Sequence, residues 1–189
     1  MLKRRTALAA PLWWSPLASA ASAEEAVRAL QAGGAVAAFR HALAPGTFDP
    51  PQFKLGDCST QRNLSDDGRA QARQLGQWFA TQRLHAARVR SSPWCRCLET
   101  ARLAFGDTEV WPALGSPRGH TESVGAAHQR ELRLALQAAA GRRGSFEVWV
   151  THMFVLSALA QGSLASGEGL VLGADAGGAP RVLARILPG

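Results

Sequence analysis

The 189-residue chain has no tyrosine and only two lysines, so 19 of its 21 basic side chains are arginine. Aromatic residues make up 7%, and beyond residue 5 no basic run is longer than Arg142-Arg143. Nucleic-acid binders combine basic stripes with stacking rings, so that class fits poorly and most arginines read as a solvated surface. No Cys-x-x-Cys or His-x-x-x-His spacing occurs, which leaves no zinc framework. No Gly-x-Ser-x-Gly elbow occurs either, which counts against a serine hydrolase. Repeats and low-complexity tracts are absent. With 47% hydrophobic residues, the length suits one domain with a proper core and is short for two.

The N-terminus has a pattern of its own. Lys3, Arg4 and Arg5 precede an apolar stretch from Ala7 to Ala18, followed by the small-residue tract Ala18 to Ala23 and then Glu24-Glu25. This is the three-part pattern of a secretory signal peptide. Pro11, Ser15 and Pro16 interrupt the apolar part, which falls short of the ~20 residues of a spanning helix. We expect residues 1–23 to be a cleaved leader, with Ala20 as the alternative last residue, and residues 24–189 to be the mature, exported domain without stable membrane insertion. Arg4-Arg5 leaves the general and twin-arginine routes both open. Removing residues 1–23 takes three basic and no acidic groups from the formal +7, leaving 18 basic against 14 acidic, or +4.

Export makes the three cysteines informative, because an oxidising compartment favours one disulfide and one free thiol. Cys95 and Cys97 are two apart on a predicted helix, where side chains do not face each other. Cys58 with Cys95 or Cys97 is the better pairing, with Cys58 and Cys97 the first candidates. The competing reading is three buried small hydrophobes.

Along the mature chain, helices and strands alternate. A helix is predicted over 24–31, stopped by Gly33-Gly34, and a strand over 35–39. A long polar connection spans 43–63. Ser65 caps a helix running to about Leu84, and a strand follows over 86–90. A serine N-cap and Pro93 start a helix that ends near Phe105. A strand at 109–111, a helix over 129–140, a strand over 146–151 and a helix to Ala160 come next. Leu170 to Leu172 and Arg181 to Ile186 form a closing hairpin. This order predicts an α/β fold, a three-layer α/β/α sandwich on a mostly parallel sheet.

Two of the apolar strands end in histidine. Arg40 and His41 close the run Ala35 to Phe39, and His152 closes Phe146 to Thr151. Parallel sheets gather ligand-binding groups at their carboxyl ends, so two imidazoles and an arginine would face one another there, as an anion site with a nucleophile in it.

Four blocks extend that reading: Phe39-Arg40-His41-Ala42; Arg62-Asn63-Leu64-Ser65-Asp66-Asp67-Gly68-Arg69-Ala70-Gln71-Ala72; Ser91-Ser92-Pro93-Trp94-Cys95-Arg96-Cys97-Leu98-Glu99-Thr100-Ala101; and Val150-Thr151-His152. In this order they resemble the histidine phosphatase (phosphoglycerate mutase-like) superfamily, and the short exported chain is most similar to its small bacterial phosphatases. The resemblance implies a metal-independent phosphomonoesterase without cofactor, acting on a phosphorylated small molecule or envelope component outside the cytoplasm. It makes His41 the nucleophile that forms a phosphohistidine, and Arg40, Arg96 and His152 the donors to the phosphoryl group. Arg62, Ala42 and Met153 become substrate contacts. A disulfide from Cys58 to the helix of Arg96 would hold the loop of Arg62 against the pocket.

The general acid departs from the family pattern. The stretch where members carry it matches Trp111 to Ser116, and Ser116 cannot serve. Glu122 and Asp57 are the candidates from loops, and the alternatives are a substrate with a good leaving group or a catalytically weak pseudoenzyme that binds phosphorylated ligands. Substrate choice is expected in 43–63 and 112–128. His85, His120 and His128 match no block and are expected at the surface.

Overall fold

The computed structural model describes residues 16–117 and 122–187, with side chains from 22 to 117 and from 124 to 187. In chain order the elements are α1 (Pro16–Ala32), β1 (Ala35–Arg40), α2 (Asp66–Thr81), β2 (Arg88–Ser91), α3 (Cys95–Phe105), β3 (Glu109–Val110), α4 (Glu122–Ala140), β4 (Phe146–Thr151), α5 (Met153–Ala160), β5 (Gly169–Ala174) and β6 (Pro180–Ile186). Short 3-10 turns occupy Cys58–Thr60 and Pro112–Leu114. The six strands form one sheet in the order β3-β2-β4-β1-β5-β6. The first four are mutually parallel, and β5 and β6 close the sheet as an antiparallel hairpin.

Alternation along β1 explains the layers. Ala35, Ala37 and Phe39 pack with residues of α1, α2 and α3, whereas Val36 and Ala38 pack with residues of α4 and α5. Successive strand side chains point to opposite faces, so a strand buried on both sides needs apolar residues throughout. The expected α/β/α sandwich is the observed architecture.

Several boundaries differ from expectation for local reasons. Helix α1 already includes Pro16 to Ala23, ahead of the expected start at Glu24, because the alanine-rich tract before Glu24 is itself strongly helix-forming. Helix α4 starts at Glu122 rather than Gln129, so much of the segment expected as a specificity loop is helical. The N-cap of α3 is Trp94 without a side-chain cap, not a serine. Ser65 does cap α2, accepting from the Gly68 N–H. No helix among the described residues is long and apolar enough to cross a membrane.

Two tethers fix the loop between β1 and α2. Gly68 lies against the Leu43 carbonyl, where a Cβ would come within 2.0 Å of the oxygen. A disulfide joins Cys58 to Cys95, leaving Cys97 buried as a free thiol. The pairing with Cys97 is thus corrected. On α3 the Cys97 side chain turns into the core, where Sγ meets the Thr151 carbonyl and the His152 ring. Cys95, at the first turn, is left to meet the loop. Closing a loop of sequence separation 37 stabilises the fold by about 4 kcal/mol in the chain-entropy model. A Cys58→Ser, Cys95→Ser double variant should therefore lose roughly 3–4 kcal/mol in urea unfolding. A loss under about 1 kcal/mol would show that the crosslink constrains little.

Candidate active site

The parallel pairing of β1 with β4 sets Arg40 beside Thr151, so the residues that follow, His41 and His152, leave adjacent strand ends together. Their rings meet edge to face with centroids 5.6 Å apart. Backbone ties hold the exit: the His41 N–H donates to the Thr151 carbonyl at 2.9 Å, and the Gly167 N–H donates to the His41 carbonyl at 3.1 Å. Thr100, on α3, accepts from the Ala42 N–H at 3.0 Å and donates to the Arg96 carbonyl at 2.7 Å. The β1 exit and the arginine-bearing helix are therefore locked to each other.

The two imidazoles are buried, His41 at 2% and His152 at 3% exposure. Nδ1 of His41 lies 2.8 Å from the Ala42 carbonyl oxygen, which can only accept. Nδ1 therefore carries the proton and donates, and Nε2 keeps its lone pair. Burial pushes the His41 pKa from 6.5 down to about 3; Arg96, Arg40 and Arg62 push the same way, and the Ala42 hydrogen bond opposes them. The group is a neutral, oriented nucleophile at any physiological pH.

His152 differs from the simple phosphate donor expected. Its Nδ1 faces Nη2 of Arg96 at 3.4 Å, and its Nε2 lies 2.8 Å from Ser92 Oγ. Arginine only donates, so Nδ1 accepts and the proton resides on Nε2, directed to Ser92. In this tautomer His152 steadies Arg96. Burial, then Arg96 and His41, hold its pKa well below 6.5.

Three guanidinium groups border the same cleft of about 470 Å³. Arg40 donates from Nη1 to the Leu164 carbonyl at 2.7 Å, Arg62 to the carbonyls of Ala44 and Gly46, and Arg96 to both carboxylate oxygens of Asp49. The buried Nε atoms of all three have no hydrogen-bond partner among the described residues. Burial, then repulsion from Arg96, lowers the pKa values of Arg40 and Arg62. Three positive charges against the one carboxylate of Asp49 leave two, which a phosphate dianion would neutralise.

Asp49 was invisible in the sequence, an acid between Phe48 and Pro50 in a proline-rich loop with no motif around it. It accepts from the Arg62 backbone N–H at 3.0 Å and from Trp94 Nε1 at 3.2 Å as well as from Arg96. Burial alone would raise its pKa, but the Arg62 N–H and the Arg96 charge hold the carboxyl below the usual range. Ser92 and Thr100 sit inside the Ser-Ser-Pro block, which signalled the region without their separate parts. The turn at 164–168, which holds Arg40 and His41 by its carbonyls and Gly167 N–H, carried no signal.

A sequence profile described as Histidine phosphatase superfamily (branch 1) matches residues 55–115, the span holding Arg62 and Arg96. Among solved structures, the protein histidine phosphatase SixA complexed with tungstate aligns over 82% of this chain and 97% of its own, at 20% identity and a TM-score of 0.55. Over residues 55–115 the chain is similar to the histidine phosphatase superfamily, and it shares the fold of solved histidine phosphatases. A phosphoserine phosphatase variant from Entamoeba histolytica in complex with phosphoserine aligns over 80% of this chain and 95% of its own, at 15% identity and a TM-score of 0.59. The mycobacterial glucosyl-3-phosphoglycerate phosphatase with inorganic phosphate covers 82% and 97%, at 16% identity and a TM-score of 0.55. No curated protein sequence matches.

In this histidine phosphatase fold the remaining candidates separate. Met153 lines the cleft. Ala42 is fully buried and spends its N–H on Thr100 and its carbonyl on His41, so it positions the nucleophile rather than contacting substrate. Asp57 caps the turn at Cys58–Thr60, accepting from Ser59, and does not line the cleft. Glu122 opens α4, and its side chain lies outside the described residues. His85 is exposed, His128 is half-buried on α4, and His120 lies outside the described residues. Among the described residues no group of three His, Cys, Asp or Glu is placed to hold a metal ion.

Two predictions follow from this geometry. Asp49→Asn removes a negative charge beside the arginines, so electrostatics alone would tighten phosphate binding. If Asp49 instead positions Arg96, kcat falls roughly tenfold or more while inorganic phosphate binds no more weakly. An unchanged kcat in steady-state assays would refute the positioning. The second concerns acid. Because folding depresses both histidine pKa values, the unfolded chain binds protons that the folded chain refuses between pH 6.5 and about 3, so stability drops as pH falls through that window. Tm should decrease from about pH 7 to about pH 5, and less steeply in His41→Ala; parallel curves would contradict it.

Proposed function

We propose that the protein is a metal-independent phosphomonoesterase working through a phosphohistidine on His41. One observation carries this: a neutral imidazole with its Nε2 lone pair free, set among three guanidinium groups whose buried Nε–H groups lack acceptors among the described residues. Nε2 attacks phosphorus, the P–O bond to the substrate alcohol breaks, and the oxygen departs with its electron pair. Water then attacks the phosphohistidine, releasing inorganic phosphate and restoring His41. Arg40, Arg62 and Arg96 spread along the phosphoryl oxygens what charge develops in both steps. Solved structures that share the fold, phosphatases of phosphoserine and of glucosyl-3-phosphoglycerate among them, support the reaction class.

The substrate lies outside the cytoplasm in this reading, supported by the leader pattern of residues 1–23 and by the Cys58–Cys95 disulfide. One observation favours a second reading, a phosphate binder with negligible turnover. Asp49 is the one carboxylate among the described lining residues, and its depressed pKa keeps it an acceptor for Arg96 rather than an acid for the leaving oxygen.

Phosphate release from an aryl phosphate by residues 24–189, in the presence of chelator, separates the two. The phosphatase reading predicts turnover that survives chelation and falls at least a thousandfold in His41→Ala, on the scale of losing a covalent nucleophile. A folded protein that binds phosphate but releases none would establish the binder.

A further inference from the structure

The cleft lining is of two kinds. Its charged members, Arg40, Arg62, Arg96 and Asp49, border it together with His41, and one phosphate dianion would match their net charge. The rest of the described lining is mostly ring and hydrocarbon, Phe48, Pro50 and Phe53 from the β1–α2 loop, Trp94 before α3, and Met153 and Phe154 from the first turn of α5, with Thr47, Ser116 and His152 as its neutral polar members. Phe53 stacks on Trp94 with centroids 5.8 Å apart and planes 20° from parallel. Phe48 and Phe154 are 53% and 42% exposed, and both line this cleft.

This rim is held in place. Phe48 and Pro50 flank Asp49, whose carboxylate is bonded to Arg96, to Trp94 Nε1 and to the Arg62 N–H. The Cys58–Cys95 disulfide pins the far end of the same loop beside Trp94. Rings fixed before binding cost a ligand little ordering entropy. A volume of about 470 Å³ lies at the small-molecule end of ligand pockets, room for a phosphoryl group and a one- or two-ring body.

We propose that the cleft selects phosphorylated small molecules whose non-phosphate part is a flat aromatic or otherwise apolar body, over polyol and amino-acid phosphates. The rings gain by burying apolar surface and by stacking. A second ammonium or carboxylate on the ligand meets no further described charge on the rim. This rests on the anion site assigned above, and concerns what is attached to the anion.

Binding of non-hydrolysable phosphonates tests it independently of turnover. Benzylphosphonate and ethylphosphonate are compared by calorimetry at a pH where both are dianions, together with 2-amino-4-phosphonobutyrate as a charged amino-acid analogue. Benzylphosphonate should bind about tenfold tighter than either, and Phe48→Ala and Phe154→Ala should each reduce that ratio by about threefold. Equal affinities, or a ratio untouched by both variants, would overturn the selectivity whether or not any ester is hydrolysed. A retained preference in a protein that hydrolyses no ester would sustain the selectivity and overturn only the phosphatase reading.

Discussion

The crowding of Arg40, Arg62 and Arg96 around two buried imidazoles is the constraint to which the surrounding structure answers. Like charges at such proximity repel, and burial removes the water that would screen them. The fold offsets the repulsion with one carboxylate, Asp49, and with backbone carbonyls from the turns at 44–46 and 164. Burial first, and then the same positive field, keeps His41 and His152 uncharged, since protonating either would add a fourth positive charge to a desolvated cluster. In the proposed reaction one field serves two ends: it would attract the anion, and it adds to burial in holding the His41 nitrogen unprotonated.

That cluster needs rigid support, and it comes from both sides of the sheet edge. Parallel strands β1 and β4 deliver the histidines, Thr100 ties their exit to α3, and Ser92 fixes the ring of His152. The weakest part by its nature is the long loop that brings Asp49 and Arg62. Its tethers are correspondingly numerous: Gly68 packed against Leu43, the Cys58–Cys95 crosslink, and Gln61, whose side chain accepts from the Cys95 N–H and donates to the Lys54 carbonyl. A loop so held can form the wall of a binding cleft.

How far the sequence revealed this depended on the range of the interaction. Strand ends were legible because apolar runs stop where a strand stops, and β4 was delimited to the residue. Arg40, His41, Arg96 and His152 were legible through the blocks around them, and Arg62 through its place before Leu64 and Ser65. Helix starts were less legible: alanine carries little positional information, so α1 and α4 began earlier than the periodic residues suggested. Asp49 and the turn at 164–168 were not legible at all, because their meaning comes from partners as distant in sequence as Arg96 and Arg40. Choosing between Cys95 and Cys97 required knowing which face of α3 meets the core, a tertiary fact. Asp57, one of two candidate acids with Glu122, stays off the cleft for a local reason, since an Asp followed two residues later by Ser59 caps its own turn.

The central claim is that His41 is neutral, with its proton on Nδ1 and its lone pair on Nε2. Nitrogen-15 NMR of the imidazole rings across the acid range, with His41→Ala to identify the signal, tests it directly. The account predicts one protonated nitrogen and one with the shift of a lone-pair nitrogen, unchanged from neutrality to below about pH 4. A ring that becomes doubly protonated near its ordinary pKa of 6.5, or one carrying its proton on Nε2, would contradict it.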